Sequence, residues 1–559
     1  MIKDPFRTDL GRNVFYNKYA HGSNDSWHNL AIRLVDDVCG TQGGKLHPIL
    51  SKEERDELVK IITNMEFIPG GRYLYYAGRP LHAWNNCFLL KCEEDTREEW
   101  SNILWRASSC LMLGGGIGID YSLLRPSGRS LSRTGGISSG PLPLMQMVNE
   151  VGRNVMQGGS RRSAIYASLN WQHEDIDQFL TMKNWENIPV LDSNLGAVKH
   201  SNFNFPAPLD MTNISVNYDD TWLKPCDVRG DTPEIIASCS IFLKNCEQAM
   251  RTGEPGFSFN FGDKQNETLR NACTEVTSED DSDVCNLGSI NLGNIQTLDR
   301  FREVVSLASK FLVCGTVRSD LPYTKVNIVR EKNRRLGLGL MGIHEWLLKK
   351  GYGYEVVPEL KQWLEVYKNE SEKAANEHCD RLYLSRPVAY RAIAPTGSLG
   401  ILAGTTTGIE PLFAVAEKRR YLVDGTKWKY QYQISPFADH MINHMGVDPD
   451  KIETAYSLAT NYERRIKFQY DIQKYVDMSI SSTLNLPPWG SEHNNEDKIK
   501  DFASTVAKYA PGLRGMTCYP DGSRGGQPIT EVPYSEAIKH KGVIFDENEM
   551  TCASGVCGV

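Results

Sequence analysis

The chain has 559 residues, of which 40% are hydrophobic and 23% are charged, and its formal net charge is -7. These values are ordinary for a folded protein, and the length suits roughly two to four average domains or one large α/β barrel with additions. A weakly negative chain argues against nucleic acid or an anionic membrane as a partner. No apolar run reaches the roughly 18 residues of a membrane span, and the first residues lack the apolar core of a signal peptide. We therefore expect a cytoplasmic protein.

Residues 1 to 75 carry mainly helical patterns. The segment 51–65 begins with Ser51 and has Glu54 three residues later, which is the capping-box pattern of a helix start. Its apolar residues recur at helical spacing, so a helix is predicted there. The next clear element is a short apolar strand at NCFLL, residues 86–90.

Strand and helix patterns alternate through the middle of the chain. The segments 163–169 and 212–218 are predicted as strands, and the segments 173–183 and 334–350 as helices. Such alternation favours an α/β layer or barrel. The polar C-terminal stretch, 531–559, ends in small residues and is predicted to be a mobile tail.

Fourteen cysteines in a chain of this length do not indicate a small secreted disulfide scaffold. Most are interpreted as buried thiols that serve packing, because free cysteine is among the most buried residue types. Eight cysteines stand in no recognisable motif: Cys39, Cys92, Cys110, Cys226, Cys239, Cys246, Cys314 and Cys379.

Two cysteines close to the C-terminus, Cys552 and Cys557, are separated only by the small residues ASGV. A zinc site would need further Cys or His ligands close by, and the sequence offers none. A dithiol on a mobile tail can instead reach a distant disulfide and exchange with it. A dithiol shuttle is the favoured interpretation; a metal site and no role are the alternatives.

The stretch NACTE (271–275) places Cys273 two residues before Glu275. In an extended loop such residues share a face, so a thiol and a carboxylate can address one small molecule, with the carboxylate as general base. A surface glutamate beside a buried cysteine explains the local spacing equally well. Taken alone, Cys285 and Cys87 indicate no more than core thiols.

Two glycine-rich stretches are candidate ligand loops. GGGIGID (114–120) lets backbone approach a ligand closely, but it lacks the pattern of a dinucleotide-binding turn. In APTGSLGILAGTTTGIEP (394–411), Thr396, Gly397 and Ser398 follow a proline and precede an apolar run. Backbone amides and hydroxyls there can bind phosphate at a helix start, and a plain Ser/Thr-rich turn is the alternative.

Five features occur together: NNCFLL, GGGIGID, NACTE followed by CNLGSINL, PTGSLGILAGTTTGIEP and the terminal CASGVC. In order and approximate spacing this set resembles the catalytic chain of ribonucleotide reductases. The resemblance implies a ten-stranded α/β barrel with a central finger loop, preceded by an N-terminal helical region. The implied boundaries are 1–75 for the helical region, 76–530 for the barrel and 531–559 for a C-terminal redox tail.

The resemblance also implies roles for individual residues. Cys273 matches the cysteine that becomes a thiyl radical, and Asn271 and Glu275 match its companions at the ribose hydroxyls. Cys87 and Cys285 match the pair that is oxidised to a disulfide, which the tail dithiol Cys552 and Cys557 reduces again. The implied substrate-binding residues are Asn86, Gly115, Gly116, Pro395, Thr396, Gly397, Ser398 and Leu399. A relative that had lost its chemistry would lack some of these thiols or the glutamate.

The family generates its radical in several ways. A separate metal-bearing subunit requires a relay with a tyrosine pair near the C-terminus, but RGMTCYPDGSRGGQP (514–528) contains Tyr519 alone. This stretch looks like the adenosylcobalamin-dependent class, class II, so adenosylcobalamin is the expected cofactor. The alternative is a class I large subunit. A glycyl radical is disfavoured by the terminal dithiol.

The expected partners follow from the same resemblance. They are a ribonucleoside di- or triphosphate substrate and a thioredoxin or glutaredoxin-like reductant. A deoxynucleotide effector is possible near 126–136, where arginines can pair with phosphates. No nucleic acid, membrane or protein-bound metal is expected, and the chain is expected to be a monomer or a homodimer.

Overall fold

The computed structural model describes residues 5–132, 135–155, 163–202, 205–227, 233–423, 427–523, 529–541 and 543–546. Helices and strands alternate along most of this range, which confirms the mixed α/β class. Within the described residues the α-helices are α1 (Asp9–Lys18), α2 (Trp27–Cys39), α3 (Lys52–Thr63), α4 (Gly71–Tyr76), α5 (Arg97–Leu113), α6 (Pro141–Asn154), α7 (Ile176–Thr181), α8 (Leu195–Ser201), α9 (Asp220–Asp227), α10 (Pro233–Thr252), α11 (Leu298–Arg318), α12 (Thr324–Asn333), α13 (Ile343–Lys349), α14 (Pro358–Arg381), α15 (Gly397–Ala403), α16 (Pro436–Met445), α17 (Ala455–Leu458), α18 (Tyr462–Gln473), α19 (Ile499–Tyr509) and α20 (Tyr534–Ala537).

The strands form one large sheet and three small ones. In the described residues they are β1 (Phe67–Pro69), β2 (Cys87–Lys91), β3 (Gly116–Asp120), β4 (Ile165–Asn170), β5 (Pro189–Val190), β6 (Ser193–Asn194), β7 (Thr212–Tyr218), β8 (Gly256–Phe259), β9 (Leu269–Arg270), β10 (Thr277–Ser278), β11 (Asp283–Asn291), β12 (Leu336–Met341), β13 (Ala416–Val423), β14 (Lys427–Ile434), β15 (Thr483–Leu486), β16 (Gly515–Pro520), β17 (Ile529–Glu531) and β18 (Ile544–Asp546).

The large sheet has ten strands in the order β1-β11-β2-β3-β4-β7-β8-β16-β15, with β12 beside β11. Strands β2, β3, β4, β7 and β8 are mutually parallel. The pairs β2–β11 and β8–β16 are antiparallel, so this parallel group runs opposite to the parallel pairs β11–β12 and β15–β16. The short edge strand β1 is antiparallel to β11. Most of these strands are buried along their length, as expected for parallel strands covered by helices.

The segment 389–393 connects the last strands of this path. Leu338 of β12 forms a parallel bridge with Arg391, and Ile393 forms one with Ile480, just before β15. Backbone hydrogen bonds of about 3 Å accompany both bridges; for example, the amide of Ser481 donates to the carbonyl of Ile393 at 2.8 Å. The segment is therefore hydrogen bonded to β12 on one side and to the chain entering β15 on the other.

The strands β9 and β10 form a hairpin that does not join the hydrogen-bonded ladder of the large sheet but packs against its strands β2 and β3. Arg270 pairs with Thr277 in this hairpin, so residues 271–276 form its tip. We call residues 269–278 the finger. Arg270 is buried at its base and donates to Asn260 at 2.8 Å and to the Arg514 carbonyl at 3.0 Å.

Two large hydrophobic clusters cover the sheet. One packs the N-terminal helices, including Trp27 and Leu58, against Phe311 of α11 and the strands β11 and β12. The other lies between α5, α6, α10 and α19 and the strands β2, β3, β4, β7, β8, β15 and β16. No α-helix within the described ranges is both long and apolar enough to cross a membrane.

Several predicted elements are confirmed. The capping box of Ser51 and Glu54 starts α3, and NCFLL, 163–169 and 212–218 correspond to β2, β4 and β7. The helix predicted for 334–350 is wrong in its first half, where residues 336–341 form β12. The apolar residues of LGLGLM satisfy both periodicities, and strand pairing with β11 decides between them.

Candidate active site

The finger tip carries Cys273 at its exposed end. The turn is closed by two bonds to Asn271, whose carbonyl accepts from the Thr274 amide and whose Oδ1 accepts from the Val276 amide, both at 3.0 Å. Thr274 adopts a left-handed φ of 70°, which is unusual for a β-branched residue. A strained turn held by a side-chain bond fixes the tip and keeps the Cys273 thiol outside the buried interior.

Neighbouring strands hold the finger in place. The Glu275 carbonyl accepts from the Ser479 amide at 2.8 Å, and the Ala272 carbonyl accepts from Asn213 Nδ2 at 3.2 Å. A Cβ on Gly118 of β3 would lie 1.7 Å from the Arg270 carbonyl oxygen, so only glycine leaves room for the finger there.

Cys87 and Cys285 lie below the tip on adjacent strands. They are paired across the antiparallel ladder of β2 and β11, and both side chains are buried. Asn271 Nδ2 donates to Cys87 Sγ at 3.0 Å, and the Cys87 thiol donates to Glu275 Oε1 at 3.8 Å. The structure thus brings Cys87, Asn271, Glu275 and Cys285 together, although they lie up to almost two hundred residues apart in sequence.

The electrostatics of this group follow from its burial. Burial raises the pKa of Glu275 to about 7, although hydrogen bonds from Asn271 and Cys87 act in the opposite direction. Its Oε2 has no hydrogen-bond partner among the described residues, so this oxygen is available to a ligand hydroxyl. Burial also raises the pKa of Cys87 and Cys285 well above their ordinary value, so both remain thiols near neutral pH. The group combines a carboxyl poised near neutrality with two protonated thiols.

The glycines of the first ligand loop differ in their surroundings. A Cβ on Gly116 would lie 3.3 Å from the Ala272 Cβ, so Gly116 borders the finger tip. Gly115 is buried, and a Cβ there would lie 2.1 Å from the Phe88 ring. The Asn86 carbonyl accepts from the Gly116 amide at 2.8 Å, while its buried side-chain Oδ1 has no partner among the described residues.

The second ligand loop, 395–399, precedes and begins the short helix α15. Thr396 is buried with a left-handed φ of 50°, and its hydroxyl oxygen accepts from the Gly408 amide at 2.8 Å. Gly397 is exposed and Ser398 is half-buried, whereas Leu399 packs into the core. The amides of the first helical turn have no partners within the helix and can meet a phosphate.

A cavity of about 710 Å³ lies beside the second ligand loop, where Pro395 forms part of its lining. Thr483 and Asn485 of β15 and Tyr519 of β16 line it. The alternating residues of these strands, such as Leu484 and Cys518, instead pack into the hydrophobic core. The inward faces of β15 and β16 therefore form one wall of this cavity.

Sequence reasoning missed the residues that make space for the site. Gly118 makes room for the finger, and a Cβ on Gly337 of β12 would lie 3.1 Å from Cys285 Sγ. The signal was present, because glycines recur at every second position in GIGID and LGLGL, the spacing of one strand face. No group of three His, Cys, Asp or Glu side chains in the described part of the chain could hold a metal ion. Cys552 and Cys557 lie outside the described residues.

A family model described as "Ribonucleotide reductase, barrel domain" matches residues 85–363 and 386–519. The chain belongs to this family. The matched ranges include Cys87, the finger and Cys285, as well as the loop 395–399 and Tyr519. The predicted resemblance to ribonucleotide reductases is therefore confirmed.

Curated relatives cover different shares of this ribonucleotide reductase. A vitamin B12-dependent ribonucleoside-diphosphate reductase of Mycobacterium tuberculosis (strain CDC 1551 / Oshkosh) is 26% identical over 86% of this chain and 74% of its own length. A putative adenosylcobalamin-dependent ribonucleoside-triphosphate reductase of Mycobacterium phage D29 is 27% identical over 79% of this chain and 71% of its own. A ribonucleoside-diphosphate reductase large subunit of vaccinia virus (strain Copenhagen) is 26% identical, but over only 54% of this chain and 43% of its own.

Proposed function

We propose that this reductase converts ribonucleotides to 2′-deoxyribonucleotides through a thiyl radical on Cys273, with adenosylcobalamin as the radical source. One observation carries the proposal. Cys87, Cys285, Asn271 and Glu275 converge at the base of an exposed thiol, Cys273, on a finger of a ribonucleotide reductase chain.

The proposed scaffold is a closed ten-stranded barrel around the finger. The two bridges of segment 389–393 support closure, because they link β12 to the chain entering β15. With that segment counted as a strand, the ring runs β11, β2, β3, β4, β7, β8, β16, β15, 389–393 and β12. The division into a helical region 1–75, a barrel 76–530 and a tail 531–559 is part of this proposal.

Cys273 and Glu275 act first on the substrate. The Cys273 thiyl removes the 3′-hydrogen atom, and Glu275 takes the proton of the 3′-hydroxyl as general base. A pKa of about 7 suits this role, because the carboxyl both accepts and returns a proton near neutral pH. Asn271, whose amide reaches Cys87 at 3.0 Å, lies where it can hold a ribose hydroxyl.

Cys87 and Cys285 then complete the reduction. The 2′-hydroxyl leaves as water with a proton from the dithiol, which supplies two electrons and becomes a disulfide. Cys273 returns its hydrogen atom to C3′ and is ready for another cycle. The sum is one ribonucleotide and two thiols giving one deoxyribonucleotide, one disulfide and one water.

The substrate phosphates are proposed to bind at loop 395–399. The exposure of Gly397 and the partial exposure of Ser398 support this position, as does the free space beside Gly397, where a Cβ would meet no atom within 4 Å. Asn86, Gly115 and Gly116 are proposed to line the substrate on the side of the finger.

The cavity between Pro395 and Tyr519 is the proposed position of part of the cofactor. Its volume of about 710 Å³ lies within the usual range for pockets of drug-sized ligands, so it can hold part of the larger adenosylcobalamin molecule. Phe413, Pro487 and Tyr519 offer apolar and aromatic walls to a flat ring system. A corrin carries its own cobalt ligands, so the cavity needs no set of metal-binding side chains. When bound, adenosylcobalamin supplies a carbon-centred radical by homolysis of its cobalt–carbon bond.

A class I large subunit, which depends on a separate metal-bearing subunit, is the second candidate. Relatives named as large subunits favour it, but the vaccinia virus protein covers little more than half of this chain. The side chain before Tyr519, Cys518, is buried in the core on the opposite strand face. A stacked relay pair therefore cannot form from these two neighbours, which favours the cobalamin class.

A thioredoxin or glutaredoxin-like protein is the proposed source of electrons, acting through Cys552 and Cys557. Burial of Cys87 and Cys285 supports the need for such a shuttle, because a folded protein cannot reach them. Ile529, two residues before the proposed tail, lines the cavity together with Gln433 and Ile434. The tail therefore starts near the proposed site.

Dimerisation and effector binding are proposed for one side of the chain. Trp105 and Met112 of α5 are 57% and 65% exposed, and Met147 of α6 is also exposed, which supports a homodimer through this face. The effector site is proposed nearby, at 126–136. Less positive charge is free to bind phosphate there than the sequence indicates, because Arg125 forms an ion pair with Asp95 and Arg129 forms one with Glu174.

The test is an assay of the purified chain with a ribonucleoside di- or triphosphate and dithiothreitol, with and without adenosylcobalamin. Deoxynucleotide should form only when the cofactor is present. Formation without it, on addition of a metal-bearing subunit, would favour the class I alternative.

A further inference from the structure

A second pair of buried thiols lies outside the barrel interior. Cys39 is the last residue of α2 and Cys314 is near the end of α11, and these two helices pack together. Both side chains are fully buried, and the two thiols interact with each other. His378 of α14 completes the group, with its Nε2 3.4 Å from Cys314 Sγ.

The hydrogen-bond directions identify Cys314 as the acceptor. Arg381 Nη2 lies 2.9 Å from His378 Nδ1, and a guanidinium can only donate. Nδ1 must therefore carry the lone pair, so the ring proton lies on Nε2 and points at Cys314 Sγ. The sulfur of Cys314 thus receives an N–H from His378, an arrangement that stabilises a thiolate.

The surroundings of the pair shift the pKa values of the two thiols in opposite directions. Burial acts to raise the pKa of Cys314, but the bonds from Cys39 and His378 and the nearby Arg318 lower it overall. Burial raises the pKa of Cys39, which also lies at the negative end of α2. The other titratable groups facing the pair from packed elements are Arg55 of α3, Tyr73 of α4 and Cys379 of α14.

We propose that Cys39 and Cys314 form a peroxide-oxidisable dithiol, a redox modification site separate from the barrel thiols. The Cys314 thiolate attacks one oxygen of hydrogen peroxide; the O–O bond breaks, and Cys314 becomes a sulfenic acid as water leaves. The Cys39 sulfur then attacks the sulfenic sulfur and releases a second water. Two thiols and one peroxide give one disulfide and two waters, so the electrons balance.

A small oxidant can reach this position. One residue separates Cys39 from the segment 41–48, which is half-buried at first and exposed from Gly43 onward. The Cys39 carbonyl accepts from the Ile49 amide at 2.8 Å, so the end of α2 is hydrogen bonded to the residue that follows this exposed loop. Local opening of such a loop admits a molecule the size of water.

The disulfide would join the N-terminal helices to α11. The Leu312 carbonyl of that helix accepts from Asn286 Nδ2 at 2.8 Å, and Asn286 follows the barrel thiol Cys285. The other buried cysteines lack this activation; burial raises the pKa of Cys110, Cys246 and Cys379. Among the buried cysteines of the described residues, Cys314 is the one with a lowered pKa.

The test treats the folded full-length chain with hydrogen peroxide over a range of pH, alkylates the remaining thiols and maps the peptides by mass spectrometry. We expect a cross-linked peptide pair containing Cys39 and Cys314, lighter by two hydrogens than the reduced pair. Its rate of formation should reach a plateau below the ordinary thiol pKa of about 8.5. Cys39→Ser should instead leave a sulfenic acid on Cys314 that a 1,3-dione reagent labels.

Two variants distinguish the activation of the Cys314 thiol by His378 from the effect of burial alone. His378→Gln should move the rate profile to higher pH, whereas Cys379→Ser, on the same helix, should leave both cross-link and profile unchanged. Absence of the cross-link in the folded chain would overturn the proposal, as would a wild-type rate that still rises through about pH 8.5. The wild-type profile decides even if a variant fails to fold, and none of these readouts depends on nucleotide reduction.

Discussion

Cys87 and Cys285 lie directly opposite each other in the antiparallel ladder of β2 and β11. Directly paired residues in such ladders have Cα atoms about 4.5–5.5 Å apart, which is within the range of about 4.4–6.8 Å that disulfides span. Both side chains point to the same face of the sheet, as opposite residues do. The pair can therefore be oxidised without rearrangement of the backbone.

The first prediction concerns this pair. Without added reductant, a fully reduced chain should yield about two deoxynucleotides and end with a Cys87–Cys285 disulfide, because the barrel pair and the tail dithiol each supply two electrons. Non-reducing peptide mapping after reaction with substrate and cofactor measures it. Cys92→Ser, a change at a buried cysteine just after β2, is the matched control and should leave the disulfide yield unchanged. A full yield of product with Cys87 and Cys285 both still reduced would contradict the account.

The second prediction is a dependence on pH set by Glu275. As a general base it must be ionised, so kcat/KM should rise with pH and reach half of its maximum near the pKa of about 7. Glu275→Gln should lower kcat by roughly 10²–10⁴-fold and remove this limb of the profile. Glu279→Gln, an exposed change just beyond the finger, should leave the activity at the wild-type level.

Stability provides a control for the same variant. Burial raises the pKa of Glu275 from 4.5 to about 7, so ionisation costs the folded state, and this cost grows as pH rises through that window. The shift corresponds to a cost on the order of 3 kcal/mol above pH 7. Glu275→Gln should therefore melt at a higher temperature than the wild type at pH 8, with little difference at pH 4. Lower stability at pH 8 would show that the carboxylate is not penalised in the fold.

The third prediction separates two glycines of one strand. Gly118→Ala should displace the finger, because its Cβ would lie 1.7 Å from a backbone oxygen that cannot rotate away. Gly116→Ala meets its nearest atom at 3.3 Å, so its melting temperature should stay much closer to that of the wild type. Thermal unfolding of both variants measures the difference. Equal melting temperatures would contradict the close packing of β3 and the finger.

The fourth prediction tests the radical source at Tyr519. If no tyrosine relay is needed, Tyr519→Phe should retain most of the activity, because the ring that lines the cavity remains. Tyr519→Ala should instead raise the concentration of adenosylcobalamin needed for half-maximal rate, since an aromatic wall is lost. Abolition of turnover by Tyr519→Phe would favour the class I alternative.

The sequence motifs identify the reactive side chains of the site but not the contacts that the fold creates between distant residues. The spacing of Cys273 and Glu275 raised the possibility of a thiol–carboxylate site, but local spacing could not connect Cys87 with Cys285, because their pairing depends on β2 and β11 meeting across the sheet. The same limit applies to β12. Its apolar run is compatible with both a helix and a strand, and only its pairing with β11 decides between them. Cys39, Cys314 and His378 come from three helices and have no local pattern, so only the fold reveals their contact.

The most direct test of the central claim is the yield of deoxynucleotide from Cys273→Ser with adenosylcobalamin, a ribonucleotide and dithiothreitol. Cys273 is exposed, so exchanging its sulfur for oxygen should leave the fold and its melting temperature intact. The account predicts no deoxynucleotide, although Cys87 and Cys285 remain reduced and able to donate electrons. Turnover at a rate comparable to the wild type would contradict the assignment of Cys273 as the radical carrier.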